Sequence, residues 1–214
     1  MLMKEERQLI VAYGKKILAA RLTKGTGGNL SIFNQEQSLL AISPSGIDYL
    51  AIRPRDVVVL NLEGEIVDGD KKPSSELEMH RIFYERRGDI RAIIHTHTVY
   101  ATTLAILNQP LPPVHYLVAL AGAEVPCAKY APFGSRELAT NAYKAMEGKK
   151  AVILANHGLL AGGKDLAEAF NISEEIEYCA ELYWRSKSIG EPIILPKEEM
   201  ALMEEKFKAY GQGR

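Results

Sequence analysis

Two histidines separated by one residue, His95 and His97, close the apolar run AIIHTHTVY. In an extended strand, side chains two positions apart share a face. Both imidazoles then point the same way, close enough to hold one ion, with Thr96 facing away. A third histidine, His157, stands in ANHGLL directly after the apolar run AVIL, at the end of a second buried strand. Three neutral imidazoles form a zinc-type donor set that leaves one coordination position for water or substrate. Each also has a plainer reading, as a polar residue at a strand end or in a turn, and the spacing alone leaves both open. His80, beside Met79 inside a helical pattern, reads as structural, and His115 after Pro112-Pro113-Val114 leans the same way.

Glu76 falls in the segment PSSE, in the first turn of a helix. Acidic residues favour that position through the helix dipole alone, and a carboxylate near a metal could equally serve as a base. The same helix start offers unpaired backbone N–H groups and the hydroxyls of Ser74 and Ser75, a setting suited to phosphate. KGTGGNLS adds a second set of backbone amides with Thr26 and Asn29 as donors, and Gly28 lets the backbone form an anion nest. It is neither a P-loop, lacking GK[ST], nor a dinucleotide fingerprint, lacking GxGxxG before a helix. SPSG at 43–46, with Ser45 and Gly46, is a third small-residue turn. Turn chemistry explains any one of these alone. Together, a histidine set, a carboxylate and three donor-rich turns are the parts for a metal-assisted reaction on a phosphorylated sugar.

The elements that must carry these groups follow from periodicity. Leu9, Ile10, Tyr13, Ile17 and Leu18 recur at helical spacing, which predicts a helix over 4–21. LSIF, LLAIS and VVVLNL read as strands, and NLEGEIVDGD as a hairpin turning at Glu63-Gly64. PSSELEMHRIFYERR reads as a helix begun by a Ser75–Glu78 capping box. RAIIHTH is a strand, VYATTLAIL a helix, 116–121 a short helix and VPCAKY a strand. Ser135 to Met146 is helical, AVILANHGLLAGG a strand pair, 165–188 a long helix and 197–208 a last helix. Strands on both sides of single helices predict one mixed α/β domain with helices covering a sheet.

Composition narrows the function classes. The chain has 214 residues and a formal net charge of −1, long enough for one large domain. There is no basic stripe to attract nucleic acid. No apolar run approaches the ~20 residues of a membrane helix, and the charged N-terminal stretch does not read as a secretory signal. Two cysteines, Cys127 and Cys179, form no CxxC pair, so a reduced, cytoplasmic setting is expected.

In this order, GTGGN, SPSG, PSSE, HTH and NHG resemble the class II aldolase/adducin-head family. The likeness runs from the N-terminal helix to the tail and includes VHYL, VPCAKYAPFGS and EKFKAYG. Within the family the chain is most similar to the members that cleave L-fuculose 1-phosphate. The resemblance implies an αβα sandwich on a largely antiparallel central sheet, one domain over 1–214, and a homotetramer with active sites at subunit interfaces. It implies one Zn²⁺ per subunit, held by His95, His97 and His157, with Glu76 as acid/base and as a further ligand while the site is empty. It places Thr26, Gly28, Asn29, Ser45, Gly46, Ser74 and Ser75 around the substrate phosphate. Tyr116 would reach a neighbouring subunit's site and handle the aldehyde oxygen. Phe133, Phe207 and Tyr210 would lie near the substrate, the last two on the C-terminal tail. The implied reaction gives dihydroxyacetone phosphate and L-lactaldehyde through a metal-stabilised enediolate.

One departure is conservative, since Ser43-Pro44-Ser45-Gly46 stands where threonines are common in the family. Other functions in the family remain open: an aldolase for another deoxypentulose phosphate, a methylthioribulose-phosphate dehydratase, a ribulose-phosphate 4-epimerase or a non-enzymatic adducin-like module. Leu117 stands where epimerases of the family carry an acidic residue, and the intact histidine set speaks against the adducin-like module. A Schiff-base route would need a desolvated lysine, for which Lys129 is the one candidate flanked by an apolar stretch.

Overall fold

Apolar residues on both faces bury the central strands on two sides, and the helices divide between those faces. The computed structural model describes residues 1–209. The strands are β1 (Asn29–Asn34), β2 (Leu39–Ile42), β3 (Val58–Asn61), β4 (Ile66–Asp68), β5 (Ala92–Thr96), β6 (Cys127–Ala128), β7 (Ala151–Leu154) and β8 (Gly158–Gly163). They form one sheet in the order β4-β3-β2-β1-β5-β8-β7-β6. Among the described residues every pairing is antiparallel except that of β6 with β7. The helices are α1 (Lys4–Ala19), α2 (Leu77–Arg86), α3 (Val99–Ile106), α4 (Arg136–Ala145), α5 (Leu166–Lys187) and α6 (Lys197–Lys208).

Adjacent residues on a strand sort into opposite layers. Phe33, Ile93, Val152, Leu154 and Leu160 face α2 and α4, packing on Met79, Phe83, Leu138 and Ala142. Leu30, Ala92 and Ile94 face α1 and the start of α5, while Ile153, Leu159 and Ala161 face α3, α5 and α6. The result is the αβα sandwich on a mostly antiparallel sheet that the resemblance implies. Complete burial of a side chain such as Ile93 or Leu160 contributes about 1.5–3 kcal/mol, so the layers are held mainly by apolar contact.

Most expected elements form within a few residues of their predicted ends. The segment 116–121 becomes a 3₁₀ turn, Tyr116–Leu120, and VPCAKY contributes only the two-residue β6. The Ser75–Glu78 capping box does not form. α2 begins at Leu77 with Glu76 as the residue before it, so Glu76 sits one position ahead of the first turn. The cause lies next door. Pro44 and Pro73 form an isolated bridge, with Ser74 N–H donating to Ser43 O at 3.1 Å and Ser45 N–H donating to Lys72 O at 2.9 Å. The Ser74 hydroxyl then accepts from Glu76 N–H at 3.2 Å. Such a local turn competes with the helix, leaving Ser75 exposed and Glu78 paired with Arg81 at 2.6 Å.

Candidate active site

β5 and β8 are neighbours in a register that sets Thr96 opposite Leu159. The residue following β5 and the turn between β7 and β8 therefore meet at one end of the sheet, bringing His97 to His157 with His95 one step inward. Gly158 makes the approach possible, because a Cβ there would collide with the Thr96 carbonyl. On the other flank β1 pairs with β5, setting Asn29 opposite His95. Gly28, at φ 72°, presses its backbone so close to the His95 carbonyl that a side chain would not fit. Tyr49 fixes this turn by donating its hydroxyl to Gly28 O at 2.9 Å.

The ring nitrogens and the Glu76 carboxylate converge. His95 Nδ1 lies 3.0 Å from Leu159 O, so it carries the proton and leaves the Nε2 lone pair free, as a metal-binding histidine requires. That Nε2 is 3.0 Å from His97 Nε2 and 3.2 Å from Glu76 Oε2. His157 Nε2 is 3.4 Å from Glu76 Oε1. All four donors lie within 4.8 Å of one another. Glu76 Oε1 is buried and has no hydrogen-bond partner, a costly state for a carboxylate oxygen unless a cation serves it. The donor set and the orphaned oxygen fit a divalent metal of the zinc type.

Protonation favours the same reading. Partial burial and then repulsion from His95 push His97 down to about 4. Burial and the same repulsion bring His157 to about 4, against the pull of Glu76. Burial works to raise the Glu76 carboxyl, but the facing imidazoles of His95 and His157 and the hydrogen bond from Asn29 outweigh it and hold it well below the usual carboxylate range. At neutral pH the two rings are neutral and the carboxylate is ionised, the forms that ligate metal.

Above the cluster opens a cavity of about 400 Å³. Thr26, Gly28 and Asn29 from the first turn, Ser45 and Gly46 from the second and Ser74 and Ser75 from the third all line it. Glu76, His97 and His157 line it as well, and Phe133, 72% exposed, stands at its edge beside Tyr130. Tyr116 and Phe207 are elsewhere. They line a separate depression with Leu120 and Met203, their rings stacked with centroids 6.1 Å apart. Phe207 belongs to α6 and packs against the α3–α5 layer. Tyr210 lies outside the described residues.

Sequence reasoning passed over a row of polar groups beneath the cluster. Asn29 Nδ2 donates to Glu76 Oε2 at 2.9 Å, and Asn29 Oδ1 meets His80 Nε2. His80 Nδ1 meets Ser31 Oγ at 2.6 Å, and Ser31 Oγ meets the Tyr84 hydroxyl. Burial, with repulsion from His95, pushes His80 down to about 3 despite the attraction of Glu76, so its ring is neutral. The signal was there to read. Glu76, His80 and Tyr84 recur every four residues along one face of α2, and Asn29 and Ser31 alternate on one face of β1.

Comparison with known proteins agrees with the motifs. Residues 8–184 match the model of the Class II Aldolase and Adducin N-terminal domain. The chain is 55% identical over 212 residues, 99% of its length and 100% of the relative's, to the 5-deoxy-D-ribulose 1-phosphate aldolase of Bacillus thuringiensis serovar kurstaki. It is 40% identical over 192 residues, 89% of its length and 88% of the relative's, to the L-fuculose phosphate aldolase of Escherichia coli strain K12. A solved structure of an L-fuculose 1-phosphate aldolase shares 56% identity and a TM-score of 0.96, covering 97% of this chain and 98% of that one.

Proposed function

Because the chain belongs to the class II aldolase and adducin N-terminal domain family, we propose that it is a metal-dependent aldolase cleaving a terminally deoxygenated ketose 1-phosphate between C3 and C4. The products are dihydroxyacetone phosphate and a short aldehyde. One observation carries the reading: a single cavity joins three donor-rich turns to the Glu76 and histidine cluster, a place for a phosphate and a place for a metal within reach of one small sugar. The three similar proteins described above carry two substrate names, 5-deoxy-D-ribulose 1-phosphate and L-fuculose (1-)phosphate. Both sugars end in a methyl group, and cleavage gives acetaldehyde from the first and L-lactaldehyde from the second.

In this reading His95, His97, His157 and Glu76 hold a divalent cation, zinc by its donors, which when bound polarises substrate oxygens as a Lewis acid. The turns bearing Thr26, Gly28, Asn29, Ser45, Gly46, Ser74 and Ser75 grip the phosphate and set the reacting carbons over Glu76. As the C3–C4 bond breaks, its electron pair stays on C3, and Glu76, ionised at rest, relays to that carbon the proton that the C4 hydroxyl gives up. The C4 hydroxyl loses its proton to become the aldehyde. Tyr116 of a neighbouring subunit hydrogen-bonds the C4 oxygen and passes that proton on, giving up its own as it accepts, in keeping with its place outside this chain's own cavity and its 47% exposure. The active form is then a homotetramer with sites at subunit boundaries, where Phe133 and Phe207 lie near the substrate. The free cysteines Cys127 and Cys179 suit a reduced cytoplasm, and no described helix is long and apolar enough to cross a membrane.

The test is a product assay on metal-loaded protein with 5-deoxyribulose 1-phosphate, L-fuculose 1-phosphate and D-ribulose 1-phosphate, which keeps the terminal hydroxyl. Dihydroxyacetone phosphate should appear from the first two with kcat/KM about 10-fold or more above the third, the discrimination one small group supplies. No dihydroxyacetone phosphate from any of them, with no metal uptake, leaves the adducin-like binding module.

A further inference from the structure

We propose that His80 is a positioning residue for Glu76, the centre of a one-way hydrogen-bond chain Tyr84–Ser31–His80–Asn29–Glu76 that selects which carboxylate oxygen is free to work. The inference rests on the proposed role of Glu76 and goes beyond it.

The direction of the chain is fixed by what each group can donate. An ionised carboxylate only accepts, so Asn29 must turn its amide N–H₂ towards Glu76 Oε2. Its Oδ1 then faces His80 Nε2 and needs a donor, which places the ring proton on Nε2. His80 Nδ1 is left as an acceptor and takes the hydroxyl proton of Ser31. Ser31 Oγ in turn accepts from the Tyr84 hydroxyl, and the Tyr84 ring is stacked on Phe33 with centroids 5.3 Å apart. Ser31 and His80 have no exposed surface, and Asn29, Tyr84 and Glu76 have at most 6%. With Ser31 and His80 fully enclosed, the Asn29 amide cannot flip without setting its oxygen against the Glu76 carboxylate.

A histidine needed only to fill space would be replaced without loss by an apolar side chain of its size, since polar chains in a core cost desolvation. This one ends on a carboxylate. With Oε2 held by Asn29, Oε1, the oxygen without a hydrogen-bond partner, is the one turned to His157, and it is the oxygen that carries the proton to C3.

Three measurements test this. In ¹⁵N-histidine spectra of the metal-free protein, His80, assigned by its loss in His80→Gln, should show a protonated Nε2 and an unprotonated Nδ1. The reverse tautomer overturns the chain. In the metal-loaded enzyme, His80→Leu should lower kcat for the preferred ketose 1-phosphate about 10–100-fold, the usual cost of losing an outer partner of a site. Its KM should stay within about twofold and its metal content unchanged. Added to Asn29→Ala, the same change should cost little further in kcat, because its effect passes through Asn29; additive losses would make His80 a packing residue. Should His80→Leu not fold, His80→Gln, which can still donate to Asn29, and Tyr84→Phe, which loses one hydroxyl, report on the same chain. Both should lose some kcat without a rise in KM, and a fall in Tm alone would overturn the proposal. Inactive wild-type protein with the expected tautomer would instead count against the proposed reaction and leave the chain standing.

Discussion

Two acidic side chains leave bulk water on opposite faces of the sheet, and the molecule uses them differently. Glu177 of α5 accepts from Tyr100 N–H and Ala101 N–H, each at 2.8 Å, and so caps α3 from another helix. Thr98, the residue before α3, makes no capping bond of its own. Both Glu177 oxygens are taken, and burial raises its carboxyl pKa, only partly offset by these amides. Glu76, on the α2 face, has one oxygen tied to Asn29 and the other without a hydrogen bond, and it is held on the ionised side. A carboxylate spent on backbone amides supports a helix. One kept ionised with an oxygen to spare, facing three imidazoles, is placed to meet a cation or handle a substrate proton.

The sharpest way to break this contrast is to remove the imidazoles. His157→Ala should abolish metal binding and with it activity, while the fold survives because His157 lies in a turn. Elemental analysis should fall from about one metal per subunit to none; a variant that keeps its metal and turnover removes the reason for Glu76's orphaned oxygen. Wild-type metal affinity should hold at neutral pH. Because His97 and His157 titrate near 4 rather than at the ordinary histidine value, protons displace the cation only as pH falls towards that value.

Glu76→Gln removes the charge and leaves the shape. Turnover should drop about 10²–10⁴-fold, the range for a lost general acid/base, and the metal-free protein should lose some stability at neutral pH, because a carboxyl with a lowered pKa stabilises the folded state in its ionised form. Near wild-type turnover would reduce Glu76 to a second Glu177. A mixed oligomer with Tyr116→Phe chains sharpens the result. If Tyr116 serves the neighbour's site, some sites recover an intact pair and activity exceeds that of either parent; no recovery, with mixing confirmed by mass, places both residues in one subunit's site.

How much of this was legible beforehand depended on the range of the interaction. The His95–His97 pair and the three turns declare themselves within a few residues, because strand alternation and turn chemistry are local. That His157 joins them depends on β5 lying beside β8, which periodicity does not encode and the resemblance implied. His80 read as structural because its partners Ser31 and Asn29 are 49 and 51 residues away on β1, so α2 alone shows only a histidine among apolar neighbours. The Ser75–Glu78 pattern misled for a related reason, since the bridge from Pro44 to Pro73 tied down the helix start from outside. Glu177 was unreadable for the same cause: its oxygens answer amides 76 and 77 residues earlier.

Glu177 therefore supplies the last and smallest effect on turnover. Glu177→Ala withdraws the acceptors of two amides in the first turn of α3, in the manner of a lost N-cap, at a cost of about 0.5–2 kcal/mol. For a chain of this size each kcal/mol lowers Tm by about 2–4 °C. Thermal unfolding should show that loss with and without metal, since Glu177 lies on the far face from the cluster. α3 follows His97 by one residue, Thr98, so a loosened helix start has one route to the site, through the backbone of His97. The register of β5 against β8 and the close packing of Gly158 on the Thr96 carbonyl hold the strand just before it independently of α3. Metal content and kcat measured well below Tm should therefore stay within about twofold of wild type, an ordinary additive outcome for separate sites. A tenfold loss of kcat with metal retained would show instead that the cap on α3 and the oxygen on Glu76 belong to one coupled unit, and the division between a supporting and a working carboxylate would not hold.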